Sequence, residues 1–356
     1  STMDTELAAE IGQETAKEYR AAGVNALLGP QVDIASPIMF RSGGTYGEDP
    51  QLTLDIATAY INGMQSTYDE NGEDLGWGDE SVYCFTKHFS GDGSTEGGRD
   101  DHANGGRYAV FPGNNLEAHL ITFFDGAFNL PGKTGTTGIM TQYGIDVDAD
   151  GNPYGGEWAG AYNTYLNGML DEAGFEGLKI TDWGVYQFAG VWGAEDLEEA
   201  DRIATSWENG VNLLGGYSDV DTAKAAYGVL VDRDGQDKAD EIMRAATEKF
   251  VAVMMNLNTF ENPYVDTIIT TDGSSDFAKE GQRESIVMLK NDGTISADGA
   301  ASEKPTVYVP YVYNTGWSAT WMSGISEGTP TWTPGMDIDK LSQYFNVVTD
   351  TLGDPT

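Results

Sequence analysis

An acidic residue follows one of the apolar, strand-like runs of this 356-residue sequence. Asp182 comes directly after Leu178–Thr181, and Trp183 stands beside it. A carboxylate at the end of a buried strand is poorly solvated from below, and the flat face of a Trp suits the C–H faces of a pyranose ring. The segment therefore indicates a sugar site, although an Asp that caps the next helix fits the same residues.

Two adjacent basic residues, Lys87 and His88, follow the apolar run Val82–Thr86. Neighbouring cations at a strand end are costly to hold together unless they face carboxylates or polar ligands. Sugar hydroxyls are ligands of that kind, so the pair indicates a second part of a sugar site. In the alternative interpretation, one of the two side chains faces the site and the other is structural.

Several other kinds of catalytic site have no counterpart in the sequence. The three histidines, His88, His102 and His119, form no HExxH motif, and a single cysteine, Cys84, excludes a CxxC motif. There is no GxSxG nucleophile elbow and no phosphate-binding loop. Because Cys84 is the single cysteine, an internal disulfide is excluded. Because it lies in an apolar run, we expect its thiol to be buried.

One acidic segment, residues 146–157, matches the pattern of a calcium-binding loop. Its alternating carboxylates would repel one another without a cation, and its glycine at the sixth position allows a sharp turn. The predicted calcium ligands are Asp146, Asp148, Asp150, Asn152 and Glu157. The alternative is an acidic surface turn without a metal.

Short strands alternate with helical runs along most of the chain, which predicts an α/β fold with parallel strands. In such folds, sites lie at the carboxyl ends of the strands. The predicted strands are Asn25–Leu28, Val82–Thr86, Gly138–Tyr143, Leu178–Thr181 and Val211–Leu214. The predicted helices are Thr5–Ala22, Leu52–Tyr68, Leu116–Phe128, Ala159–Glu172, Leu197–Glu208 and Asp237–Leu257.

The residue composition changes after Leu257, where small and polar residues predict a linker. Two further apolar runs, Ser285–Lys290 and Thr306–Val312, predict strands of a second domain. The tail carries Trp317, Trp321 and Trp332, for which we expect packing against another chain.

The charge of the chain restricts its partners. With 57 acidic and 19 basic residues, the formal net charge is −38. Nucleic acids and anionic membranes would repel such a chain, so neither is an expected partner. We also expect no membrane span, since no run approaches 18 apolar residues.

The ordered motifs resemble those of glycoside hydrolase family 3, whose members pair a barrel with an α/β sandwich domain. The resemblance covers residues 1 to about 292. The matching segments are Arg41 before Gly47–Pro50, Lys87–Phe89 with Gly91–Gly93, Thr181–Trp183, Phe260–Tyr264 and Arg283–Asn291.

The resemblance implies a (β/α)8-type barrel that lacks its N-terminal strands and is followed by the beginning of an α/β sandwich domain. The implied boundaries are a partial catalytic barrel at 1–262, a linker at 263–282 and the sandwich segment at 283–356. A second polypeptide segment would complete both domains.

The resemblance also implies a retaining, exo-acting β-glycosidase with a β-glucosidase-like substrate. Asp182 matches the nucleophile, and Arg41, Lys87 and His88 match residues that hold sugar hydroxyls. Tyr143 matches a residue near the nucleophile, and Trp183 matches a wall of the acceptor site. Catalysis needs no cofactor, and the acid/base carboxyl would come from another segment.

Two alternatives remain open. One is a β-N-acetylglucosaminidase-type enzyme that uses Asp101 and His102 as its acid/base dyad. The other is a non-catalytic carbohydrate-binding fragment. Digestion of polysaccharides favours an extracellular or cell-surface location in the glycosidase interpretations, although the sequence does not determine the compartment.

Overall fold

The computed structural model of the chain describes residues 3–39, 41–263, 274–293, 304–320 and 324–350. These residues form two compact units, which meet in the sequence at Val287 and Met288. The helices are α1 Thr5–Ala21, α2 Pro50–Gln65, α3 Leu116–Ile121, α4 Thr164–Glu172, α5 Glu199–Glu208, α6 Val220–Asp234, α7 Gln236–Asn256, α8 Ser274–Glu284 and α9 Ile338–Leu341. The strands are β1 Ala26–Leu27, β2 Thr67–Tyr68, β3 Asp74–Gly76, β4 Tyr83–Phe89, β5 Tyr108–Val110, β6 Gly138–Thr141, β7 Ile145–Val147, β8 Lys179–Thr181, β9 Thr306–Val309, β10 Tyr311–Asn314, β11 Ser318–Thr320, β12 Gly324–Ser326, β13 Thr331–Pro334 and β14 Asn346–Thr349.

The first unit is built around a four-stranded parallel sheet in the order β1-β4-β6-β8. A helix follows each strand, so the predicted α/β fold with parallel strands is confirmed. Ile180 of β8 also forms a parallel bridge to Leu213, within the predicted strand Val211–Leu214. Among the described residues this bridge continues into no further ladder, and the sheet does not close into a barrel.

Close packing of α1 on α2 depends on two glycines. A Cβ atom at Gly63 would lie 2.1 Å from the carbonyl oxygen of Ala9, and one at Gly12 would lie 2.4 Å from that of Tyr60. Only hydrogen fits at these two positions. The two helices cover one side of the main hydrophobic core, in which Ile61 packs with Cys84 of β4. The thiol of Cys84 is buried, as predicted.

Arg20, at the end of α1, ties the two ends of the first unit together. Its side chain is fully buried and donates to the carbonyl oxygens of Ser81, Leu257 and Asn262 at 2.9, 3.0 and 3.1 Å. Backbone acceptors offset the cost of burying the guanidinium. The chain after α7 is thereby fixed to the helix that begins the unit.

Beyond α7, the structure shows a helix within the predicted linker and corrects one predicted strand. Residues 274–282 of the predicted linker are helical and belong to α8, which begins at Ser274. Ion pairs such as Lys279–Asp276 link successive turns and stabilise this helix. The predicted strand Ser285–Lys290 is wrong, since its apolar side chains are exposed, Leu289 by 94%, and no strand pairs with them among the described residues.

The second unit contains short strand pairs. Strands β9 and β14 pair in parallel, β10 pairs antiparallel with β13, and β11 pairs antiparallel with β12. Trp332 packs on Tyr313 with ring centroids 5.1 Å apart, whereas Trp317 is exposed. Trp321 lies outside the described residues. The predicted sandwich domain remains a prediction.

None of the helices in the described parts of the chain has the length and apolar composition that a membrane span requires.

Candidate active site

The order of the strands brings the predicted site residues together at one edge of the sheet. Lys87 and His88 lie near the end of β4, Tyr143 follows β6 by two residues, and Asp182 directly follows β8. Since these three strands are parallel neighbours, their carboxyl ends meet.

The carboxylate of Asp182 is held from two directions. Its Oδ1 accepts a hydrogen bond from the backbone N–H of Trp183 at 2.7 Å, and its Oδ2 lies 3.4 Å from Nε2 of His88. The side chain keeps 15% of its surface exposed, so an incoming molecule has access to it. The hydroxyl of Tyr143 donates to the carbonyl oxygen of Trp183 at 2.7 Å, which fixes the loop from below.

This environment keeps Asp182 ionised. Burial alone would raise its pKa, but the close approach and the charge of His88, with the N–H of Trp183 and the hydroxyl of Tyr143, lower the pKa to about 2. An ionised, partly exposed carboxylate next to hydrogen-bond donors is a suitable nucleophile for an electrophilic carbon.

His88 is positioned by a residue that the sequence patterns missed, Asp33. One oxygen of Asp33 lies 2.9 Å from Nδ1 of His88, and the other accepts the backbone N–H groups of His88 and Asp92 at 3.0 and 2.7 Å. Both side chains of the pair are essentially buried. Asp33 lies between apolar residues and belongs to none of the motifs, so only its charge in an apolar run could have indicated it.

Arg41 reaches the same cluster through Asp92. Its Nη2 lies 3.0 Å from Oδ2 of Asp92, whose side chain is buried. The resemblance to glycoside hydrolase family 3 implies that Glu48 and Asp49, which belong to the matching segment Gly47–Pro50, orient Arg41. The structure shows a different arrangement, since Asp49 caps α2 by accepting the N–H of Leu52 at 2.8 Å.

Lys87 and Trp183 are both partly exposed. Burial lowers the pKa of Lys87, and the negative charge of Asp182 opposes that shift.

The predicted Asp101–His102 dyad is rearranged in the structure. Nδ1 of His102 is hydrogen-bonded to Oδ1 of Asp100 at 2.5 Å, whereas it lies 3.4 Å from Oδ1 of Asp101. The ring of His102 packs against Tyr143 with centroids 4.2 Å apart. His102 therefore lies at the edge of the site that Asp182 occupies.

The five predicted calcium ligands do not come together. Asp146 is buried in β7 and accepts hydrogen bonds from Ser90 and Gln142, and burial raises its pKa to about 7. Among the described carboxylates and histidines, no three from this loop lie within metal-binding distance of one another. Asp148 accepts a hydrogen bond from Asn152, Asp150 is exposed and a carboxylate oxygen of Glu157 lies 3.9 Å from Arg107. The predicted calcium site does not fit this arrangement.

Comparison with known proteins agrees with these observations. Residues 1–231 match the model of the glycosyl hydrolase family 3 N-terminal domain. The chain is 33% identical over 306 residues to a probable β-glucosidase C of Aspergillus flavus, covering 81% of this chain and 44% of the relative. It is 31% identical over 319 residues to a periplasmic β-glucosidase/β-xylosidase of Dickeya chrysanthemi, covering 82% of this chain and 46% of the relative. The chain thus spans about half the length of the curated relatives it matches.

Solved structures show the same fold. The β-glucosidase of Listeria innocua in complex with glucose superposes with a TM-score of 0.69 at 21% identity, covering 98% of this chain and 45% of that one. A family 3 β-N-acetylglucosaminidase from Paenibacillus sp. superposes with a TM-score of 0.68 at 18% identity, covering 98% of this chain and 61% of that one. On the match to the family model and the identity to these relatives, the chain belongs to glycosyl hydrolase family 3.

Proposed function

We propose that the chain is the nucleophile-carrying part of a retaining, exo-acting β-glycosidase with β-linked glucosides or oligosaccharides as substrates. The observation that carries the proposal is the buried but accessible Asp182 carboxylate, which His88 keeps ionised at the carboxyl edge of the parallel sheet. Relatives named β-glucosidase and β-glucosidase/β-xylosidase support the substrate class.

In the proposed mechanism, Asp182 attacks the anomeric carbon and the bond to the leaving oxygen breaks, giving a covalent glycosyl-enzyme. Water then attacks the same carbon and releases Asp182. Arg41 and Lys87 bind hydroxyls of the nonreducing-end sugar, the buried His88 faces the nucleophile Asp182 instead of the sugar, and the face of Trp183 borders the acceptor. The basic groups stabilise the oxygens and hold the ring over the nucleophile.

A retaining enzyme also needs an acid/base carboxyl about 5 Å from the nucleophile. We infer that a further polypeptide segment supplies it and completes a (β/α)8-type barrel and a sandwich domain. The four-stranded sheet, which does not close into a barrel among the described residues, supports this inference.

The test is Asp182→Gly in the purified protein, assayed with an aryl β-glucoside. We expect hydrolysis to fall by at least about 1000-fold, because no covalent intermediate forms. Added azide is small enough to enter the vacated space, and we expect it to restore turnover by displacing the aryl group, giving a glucosyl azide of α configuration.

The matched control is Asp150→Gly, which removes an exposed carboxylate and is expected to keep full activity. Hydrolysis by Asp182→Gly at the normal rate would refute the nucleophile assignment. Because a non-catalytic fragment hydrolyses nothing, that result would also exclude the carbohydrate-binding alternative and indicate an enzyme that uses another carboxylate.

The position of His102 against Tyr143 keeps the β-N-acetylglucosaminidase alternative as a second candidate. Activity on an aryl N-acetyl-β-glucosaminide that exceeds activity on the glucoside, and that His102→Gln abolishes, would favour it.

A further inference from the structure

The ring of His88 lies between two carboxylates on different segments. Nδ1 is 2.9 Å from Asp33, which precedes α2, and Nε2 is 3.4 Å from Asp182, which follows β8. An imidazole donates hydrogen bonds from both nitrogens only when it is protonated. A neutral ring would have to present a lone pair to one of the two carboxylates.

The contacts of Asp33 leave it little freedom. Its Oδ1 accepts two backbone N–H groups, those of His88 and Asp92, and its Oδ2 faces the imidazole. The side chain is buried, so it holds the ring and the following loop in one geometry. A carboxylate with backbone donors on one oxygen and a cation on the other is stabilised in its charged form.

We propose that Asp33 is a positioning residue that keeps His88 in the imidazolium form, with Nε2 directed at Asp182, and thereby keeps the nucleophile ionised. The first half of this proposal concerns Asp33 and His88 alone. The second half rests on the proposed function, in which Asp182 is the nucleophile.

Other charged groups near His88 come from several segments of the fold. The charged and titratable groups around His88 and Asp182 include Asp33, Arg41, Lys87, Asp92, Asp101 and Tyr143. Nδ1 of His88 lies 3.5 Å from Asp92, but that carboxylate also pairs with Arg41 at 3.0 Å. Asp33 has no such competing cation among the described ion pairs, so it is the dedicated counterion of the ring.

The ionisation of the groups agrees with this geometry. Burial would lower the pKa of His88, but the charge of Asp33, the close approach of Asp182 and the hydrogen bond to Asp33 raise it to about 10. Burial would raise the pKa of Asp33, but the charge and hydrogen bonds of His88 hold it below its ordinary value. His88 therefore stays charged across neutral pH.

The three histidines make the proposal measurable by nitrogen NMR of the full chain labelled at histidine. For the wild-type protein at pH 8, we expect both ring nitrogens of His88 to carry protons. In Asp33→Asn, the amide offers no charge to Nδ1, so we expect His88 to be neutral at pH 8. The matched control is Asp100→Asn, which removes the partner of His102 and is expected to leave the His88 signals unchanged.

The pH profile of kcat/KM with an aryl β-glucoside provides the second measurement. A neutral His88 no longer lowers the pKa of Asp182, so in Asp33→Asn we expect the acid limb to move upward by about 1–2 pH units, towards the ordinary carboxyl range. A purely structural loss would reduce the rate at all pH values without moving the limb.

The outcomes separate the two halves of the proposal. A neutral His88 in the wild-type protein at pH 8 would overturn it without any variant, even if Asp33→Asn does not fold. An imidazolium that persists in folded Asp33→Asn would overturn it as well. A neutral His88 in Asp33→Asn with an unmoved acid limb would instead contradict the assignment of Asp182 as the nucleophile.

Discussion

At the scale of single residues, the site is a group of alternating charges. Asp182 faces His88, which faces Asp33, and Arg41 faces Asp92. The charge of His88 favours the ionised forms of Asp33 and Asp182, whereas burial and the charge of Asp101 raise the pKa of Asp92 well above its ordinary value. The arrangement leaves the ammonium of Lys87 partly exposed for a ligand.

Replacing Lys87 by Met tests its role in substrate binding. We expect kcat/KM on an aryl β-glucoside to fall by about 10- to 100-fold, since a hydrogen bond to a charged group contributes about 1.5–3 kcal/mol. The control is Lys17→Met, which removes an ammonium paired with Glu14 on the surface of α1 and is expected to leave the kinetics unchanged. Equal kinetics for the two variants would exclude Lys87 from the site.

The residues of the site differ in how well the sequence reveals them. Asp182, Lys87 and His88 stand at the ends of apolar runs, where a charge indicates chemistry. Asp33 acts across 55 positions of sequence, through a hydrogen bond that exists only after the strands pair. The role of Asp92 beside Arg41 likewise depends on the folded loop, so spacing along the chain does not predict it.

At the scale of the elements, the site depends on a close approach between two strand-end segments. A Cβ atom at Gly93 would lie 1.7 Å from the carbonyl oxygen of Ile34. These two residues adjoin Asp92 and Asp33, whose hydrogen bond is 2.7 Å long. Any side chain at position 93 would therefore separate the segments that hold His88.

We expect Gly93→Ala to lower the free energy of unfolding by about 1–3 kcal/mol, because overpacking forces the backbone to shift. We also expect kcat/KM to fall while the protein is still folded, since the backbone shift would move His88. Urea unfolding and kcat/KM provide the two measurements. The control is Gly43→Ala, where an added Cβ meets nothing within 4 Å, and an equal loss in that variant would contradict the account.

The acidic loop at 146–157 shows how a sequence pattern can match while its geometry does not. Asp146 is drawn into the sheet by Ser90 and Gln142, away from the exposed Asp150. We therefore expect neither EDTA nor added calcium to change the melting temperature by more than about 1 °C. Calcium that binds only the folded chain would raise it by several degrees, which would contradict the structure.

Most elements that carry the site follow from apolar runs, because parallel buried strands read as continuous apolar segments. The helix α6 was not predicted, since its small residues give a weak apolar stripe, and the cap that starts it is Asp219. The run Ser285–Lys290 shows the opposite error, because a strand was predicted there and is not formed. It is apolar in sequence but lies exposed, so its composition alone does not make it a strand.

At the scale of the whole molecule, the chain is strongly acidic, with a formal net charge of −38. The site, in contrast, depends on a few basic groups. The chain matches about half the length of its curated relatives, and its sheet is open among the described residues. We expect the first half-reaction to need Asp182 and its neighbours, and the protonation of a poor leaving group to need the further segment.

Labelling with a 2-fluoro glycosyl fluoride tests the central claim most directly. The fluorine on the ring slows release of the intermediate, and the fluoride leaves without an acid catalyst, so the missing acid/base carboxyl does not prevent the reaction. We predict that mass spectrometry of the digested protein will find the sugar on a peptide spanning Leu178–Tyr186, attached to Asp182. A label on any other carboxylate, or none while the protein hydrolyses aryl β-glucosides, would contradict the account.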